Sequence, residues 1–181
     1  NPASIGVLGT FDVPGTISDS RIVGNVLYVA GYEDGYCWRC EQNKPTTSVS
    51  SLDVANPRAM RKVDELRYSD TTGQYSWQRS ITVTNKRMYV AGPEYGQNGP
   101  IGSTIQVIDI SDAGGDLVEG ATLQARGQIS SRWQMDEFEG VLRVVSQSGS
   151  WQTSQPPQLQ TFKVVSSQEF ALLARLNIVI P

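Results

Sequence analysis

The chain has 181 residues, with 15 Lys and Arg against 18 Asp and Glu, a net charge of −3, and no His. This excludes Ser-His-Asp and Cys-His machinery and His metal ligands from these residues, and the absence of a basic block argues against nucleic acid or an anionic membrane as partner. Hydrophobic residues make up 39% and charged residues 18%, and no run approaches the roughly 20 apolar residues of a transmembrane segment, so the composition is that of an ordinary globular chain.

In chain order, the first β signal is Ile22 to Ala30, broken by Gly24-Asn25, a hairpin-type turn between two short apolar runs. Ser48 to Val54 follows a polar loop, and Met60 to Tyr68 is a less regular run of the kind seen in outer strands. Ile81 to Ala91 repeats the first plan, with Thr82 and Thr84 alternating against Ile81 and Val83 at the two-residue period of a half-buried strand. Ile105 to Ile110 and Leu117 to Ala125 come next. The third copy comprises Phe138 to Val145 with a Glu139-Gly140 turn, then Leu159 to Val165, then Phe170 to Ile180.

These copies are an internal repeat. Tyr28-Val29-Ala30-Gly31 and Tyr89-Val90-Ala91-Gly92 lie 61 positions apart, Asp53 and Asp109 lie 56 apart, and Tyr89 to Arg143 spans 54. A repeat of about 55–60 residues carrying four short antiparallel strands is the arithmetic of a β-propeller blade. The reading is all-β: blades at 14–68, 74–127 and 128–180. Residues 1–13 are the outermost strand of a preceding blade, because Asn1-Pro2 matches Asn56-Pro57. Three blades and a strand leave sheet edges open, so the chain reads as an arc of an incomplete or larger propeller, completed by the remainder of a propeller or another protein chain. The competing architecture is a self-contained β-sandwich.

The run Trp133 to Val145, with Asp136-Glu137-Phe138-Glu139-Gly140 before Leu142-Arg143-Val144-Val145, resembles a motif of the bacterial and archaeal secreted β-propeller family, a C-terminal propeller distantly related to WD repeats. Ser20-Arg21 to Tyr28-Val29 and Val107-Ile108-Asp109-Ile110-Ser111-Asp112 are similar to two further elements of that family. Phe138 stands where the family pattern has Tyr, and Val145-Ser146 where it has Ala-Thr. The resemblance implies a propeller fold and an exported, secreted or cell-surface location. It brings no catalytic residue, since the family has no general activity.

Cys37-Trp38-Arg39-Cys40 has the spacing of a thiol-disulfide redox motif, but it falls in a loop between strands rather than at a helix N-terminus. In an exported protein the plain reading is a Cys37–Cys40 disulfide pinning that loop, with redox activity or half of a shared thiolate metal site as alternatives. Asp109, Asp112 and Asp116, spaced around Ala113-Gly114-Gly115, are the candidates for a structural cation; the alternative is turn chemistry, with carboxylates accepting backbone N–H bonds. No cofactor is otherwise called for. Ser146 and Ser148 have no recognisable activating base, which argues against an enzyme, and whether carboxylates pair at glycosidase spacing depends on the fold. The long loops 31–47, 92–104 and 146–158 connect the second and third strands of their blades and so emerge on one face. They carry Tyr32, Tyr36, Trp38, Tyr95 and Trp151, aromatic residues among amides that suit contact with protein or glycan. The expectation is a non-enzymatic surface-scaffold or binding module. The rivals are part of a carbohydrate-active propeller enzyme, or a redox protein acting through Cys37 and Cys40.

Overall fold

A computed structural model of the chain describes residues 4–33, 46–69, 80–96, 99–148 and 155–179. These residues form three four-stranded antiparallel sheets, each a simple meander in chain order. The first holds β1 (Thr16–Val23), β2 (Val26–Glu33), β3 (Thr46–Asp53) and β4 (Arg61–Ser69). The second holds β5 (Ser80–Val83), β6 (Arg87–Gly96), β7 (Gly99–Asp109) and β8 (Val118–Ala125), and the third β9 (Met135–Phe138), β10 (Val141–Ser146), β11 (Gln158–Val164) and β12 (Phe170–Asn177). The protein is therefore all-β with three blades, and the two-sheet sandwich does not hold. Among the described residues no helix is long and apolar enough to cross a membrane.

The hairpin that opens each sheet is set by local chemistry, solved differently each time. Gly24 has φ +59°, as the first central residue of a type II′ turn requires. Glu139 and Gly140 both have positive φ, at +49° and +72°, the pattern of a type I′ turn. Between β5 and β6, Thr84 closes the turn through its hydroxyl, which accepts N–H bonds from Lys86 at 3.2 Å and Arg87 at 2.9 Å. In each sheet the outermost strand carries a bulge at the same level: opposite Ser51/Leu52 in β4, Gln106/Ile108 in β8 and Thr161/Phe162 in β12.

Period-two alternation puts opposite faces of one strand into different cores. On β6, Met88 and Val90 point into a cluster with Val26, Tyr28, Ala30 and Val49 of the first sheet. Tyr89 and Ala91 point into a second cluster with Met135, Leu142, Val144 and Phe162 of the third. Each fully buried Ile, Val or Met of these cores contributes roughly 1.5–3 kcal/mol by leaving water. The buried polar groups are used as stitches. Ser103 Oγ accepts the Ile129 N–H at 2.9 Å, Gln160 Oε1 that of Arg126 at 2.9 Å, and Ser146 Oγ that of Gly127 at 3.2 Å, so the segment joining the second sheet to the third is held by both.

Residues 4–13 form no ladder, whereas the sequence reading has 1–13 as an outermost strand. Such a strand takes its backbone bonds from the strand inside it, and no described strand lies there. A Cβ on Gly9 would fall 2.3 Å from the Pro57 carbonyl oxygen, and one on Gly120 of β8 would fall 2.3 Å from that of Ser167. Pro57 and Ser167 sit in the equivalent turns after β3 and β11, so Gly9 stands against the first sheet as β8 stands against the third.

Candidate binding cleft at the inner strands

β1, β5 and β9 are the first strands of their sheets, and their leading ends converge. Thr82 Oγ1 of β5 donates to the Arg132 carbonyl at 3.0 Å, and Arg132 Nη1 donates to Asp19 Oδ1 of β1 at 3.1 Å. Together Ser18, Asp19, Ser80, Ser130, Ser131, Arg132 and Trp133 line a cleft of about 280 Å³.

Two local devices aim these side chains. In β1 a bulge between Ile17 and Asp19 makes Ser18 the extra residue, and such a bulge re-aims the side chains beside it. Before β9, Arg132–Gln134 form a 3₁₀ turn closed by a capping box: Ser131 Oγ accepts the Trp133 N–H, while Gln134 Oε1 accepts the N–H groups of Ser130 at 2.9 Å and Ser131 at 3.1 Å. Gln134 Nε2 also donates to the Val145 carbonyl of β10 at 2.9 Å, which fixes the turn to the rigid sheet.

Among the described residues Asp19 is the one carboxylate lining the cleft, and it serves two guanidinium groups. Oδ1 accepts from Arg21 at 2.8 Å and Arg132 at 3.1 Å, and Oδ2 from Arg21 at 3.3 Å. Among the described residues, two arginines share this one carboxylate. The Arg132 guanidinium also lies 4.6 Å from the Trp133 ring centre, and Trp133 is 83% exposed. The result is an exposed aromatic ring with a guanidinium over one face and serine hydroxyls nearby.

The cleft opens at the end of the sheets where β2 and β10 finish. Thr16 at the start of β1 pairs with Tyr32 near the end of β2, and Gln128 bridges to Gln147 just after β10. Of the aromatic residues singled out on the long loops, Tyr32 is half-buried within β2. Tyr95 lies in β6 by its backbone, and Tyr36, Trp38 and Trp151 fall outside the described residues, as do Cys37 and Cys40.

The acidic candidates lie elsewhere, at the turn end of the sheets. Asp109 Oδ1 accepts from the Ser111 N–H at 2.8 Å and its hydroxyl at 2.6 Å, and Oδ2 from the Ser167 hydroxyl at 2.6 Å. Burial pushes the Asp109 carboxyl up, but the bonds from Ser111 and Ser167 outweigh it and hold it below the ordinary range. Asp112 Oδ2 accepts the Asp116 N–H at 3.3 Å. Among the described residues no three acidic or thiol side chains gather to hold an ion, so Asp109, Asp112 and Asp116 are not assembled as a cation site. Asp112 instead borders a second cleft, with Tyr28, whose phenol is pushed up by burial and then by the Asp112 charge.

The residues that build the axial cleft carry little sequence signal. Ser131-Arg132-Trp133-Gln134 reads as a capping box, and that pattern alone marks a structured turn displaying Arg132 and Trp133. The pairing with Asp19 needs the fold.

A family model described as a beta propeller domain matches residues 30–177, from within the second strand to the end of the last. No curated protein and no solved structure matches the chain.

Proposed function

Because the chain belongs to the beta propeller domain family, we propose that it acts as a non-enzymatic, exported or cell-surface binding module whose ligand seat is the axial cleft. A propeller fits a binding scaffold, with rigid sheets presenting side chains at the strand ends. The observation that carries the reading is Trp133, left 83% exposed on a turn that is fixed at both ends and flanked by the Arg132–Asp19 pair. An indole carried on a fixed backbone turn costs less entropy to use, and its open face offers a flat apolar surface for a sugar ring. Ser18, Ser80, Ser130 and Ser131 add hydroxyls that donate and accept, and the Arg132 guanidinium, which shares Asp19 with Arg21, favours a ligand carrying a carboxylate. The ligand class that answers all three features is an acidic saccharide. Glycoside hydrolysis needs two carboxyl groups facing one bond, whereas among the described residues Asp19 alone lines this cleft and its oxygens are engaged by arginines.

Titration with neutral and uronic-acid oligosaccharides, followed by tryptophan emission, tests this. The expected outcome is saturable quenching that is stronger for the acidic sugars. Trp133→Ala removes it at an unchanged thermal midpoint, and Arg132→Gln removes the preference for acid. An emission spectrum that responds to no oligosaccharide overturns the reading.

A further inference from the structure

The interface between the first and second sheets and the interface between the second and third repeat one plan, but they treat the phenol that each one buries differently. Tyr28 of β2 and Tyr89 of β6 hold equivalent places 61 positions apart, and both are closed to water, at 1% and 0% exposure. The Tyr89 hydroxyl donates to Glu137 Oε2 at 2.6 Å, and Arg87 holds the same carboxylate. At the first interface both charged groups are replaced by valine. Val26 stands 61 positions before Arg87, and Val83 pairs with Met88 of β6 as Glu137 pairs with Leu142 of β10. Among the described residues the Tyr28 hydroxyl makes no hydrogen bond. A buried hydroxyl without a partner is costly, and native structures leave few of them.

Tyr28 lines a cleft of about 300 Å³ at the opposite end of β1 from the axial cleft. Asn25, Asn85 and Asp112 bring polar groups to its wall, and Val26 and Ile110 bring apolar surface. Burial and, after it, the Asp112 charge push the Tyr28 phenol up, so the carboxylate and the phenol lie close together. The turn that carries Asp112 is fastened to the first sheet. A Cβ on Gly115 would fall 3.2 Å from Val26 Cγ1, and the Leu117 N–H donates to Asp64 Oδ2 of β4 at 2.9 Å. Among the described residues Asp112 joins no ion pair, and its Oδ2 accepts the Asp116 N–H at 3.3 Å. The charge of Lys86, beside Asn85, acts on Glu137 instead.

We propose that this cleft is a second binding site, which seats a guanidinium group carried on a short aliphatic stem. The ligand supplies the cation that Arg87 supplies at the next interface and that Val26 omits. A planar guanidinium has several N–H donors in a fixed fork, so it can grip the Asp112 carboxylate while reaching the Tyr28 hydroxyl and an asparagine carbonyl. Asp112 repels an anion from the same wall. The stem lies along Val26 and Ile110 and leaves water there. The cleft stands at the lower end of the range for ligand pockets, roughly 300–1,000 Å³, which suits one such group. A small guanidine and an arginine side chain of another chain present the same chemistry to it.

Calorimetric titration of the full chain with propylguanidinium, propylammonium and a capped Gly-Arg-Gly peptide tests this. The expected outcome is saturable binding of a guanidinium probe, tighter than that of propylammonium. Asp112→Asn weakens it about tenfold or more, and Tyr28→Phe about threefold. Without ligand, Tyr28→Phe leaves the thermal midpoint unchanged whereas Tyr89→Phe lowers it, because the second phenol has its partner within the chain. Saturation by the peptide alone assigns the seat to an arginine of another chain, by propylguanidinium alone to a small guanidine, and by both to the group itself. Four results each overturn the proposal: no saturable binding of either guanidinium probe, binding left unchanged by either Asp112→Asn or Tyr28→Phe, propylammonium bound equally well, or a midpoint lowered as far by Tyr28→Phe as by Tyr89→Phe.

Discussion

Arg87, Tyr89 and Glu137 form the least exposed ionic group among the described residues, and they tie the second sheet to the third. Arg87 grips Glu137 bidentately, Nη2 to Oε1 at 2.8 Å and Nε to Oε2 at 3.2 Å, and the Tyr89 hydroxyl donates to Oε2 at 2.6 Å. Their side chains are nearly closed to water, at 16% exposure for Arg87 and 10% for Glu137. Burial raises the Glu137 carboxyl, but the bonds from Arg87 and Tyr89 outweigh it and hold it below its ordinary value; burial raises the Tyr89 phenol. Removing one partner of such a pair strands the other, so Glu137→Ala is expected to cost about 3 kcal/mol in denaturant unfolding. The pH dependence follows from the depressed carboxyl. Its contribution is full above the unfolded-state value of about 4.3 and is lost as pH falls through the lower folded value, and Glu137→Gln flattens that acid limb. An acid limb identical in wild type and Glu137→Gln would refute the assignment. The Asp136–Arg143 pair, half exposed on both sides, contributes little by comparison. At this scale the sequence was only partly legible. Glu137 and Asp136 stand out in it as an acidic pair before a turn, but which of them turns inward is decided by strand pairing. Asp109 and Asp112, candidates for a cation from their spacing, serve turns. Asp19, Arg132 and Trp133 had no pattern linking them, because they meet through three-dimensional convergence.

The strands were the most legible elements, since alternation with β-branched residues sets both their type and their face. The turns were legible where glycine forces a choice, as at Gly24 and Gly140. Glu139 is the exception: a non-glycine residue held at φ +49° in the β9–β10 turn. An L-residue there carries roughly 1 kcal/mol of backbone strain, and Asn tolerates this region better. Glu139→Asn is therefore expected to raise the thermal midpoint, with a gain of about 0.5–1 kcal/mol, and Gly140→Ala to lower it by a similar amount or more. Opposite signs for the two substitutions are the check, and a loss in Glu139→Asn would show that the turn is not type I′. The bulges were illegible. Gly120 reads as a weak point in β8, yet it is small because the Ser167 carbonyl lies against it. A bulge that exists to receive a neighbour leaves no mark in the strand's own periodicity.

At the scale of the molecule, the number of blades was written in the repeat, while the direction in which the arc remains open was not. That depends on which face of each strand is covered, and on the segment around Gly9 lying where a strand belongs. Stacks of repeats in which each unit touches only its neighbours unfold by fraying from the ends. Among the described residues one bond breaks that rule: Arg132, just before β9, reaches Asp19 of the first sheet across 113 residues of chain, against 58 for Ser167 to Asp109. Closing a loop twice as long costs about 0.6 kcal/mol more entropy, so this contact is the last to be rewarded as the chain folds. It belongs on the native side of the kinetic barrier. Arg132→Gln should then quicken unfolding and leave the refolding rate unchanged in a chevron plot, so that the residue which shapes the cleft also sets how long the arc stays shut.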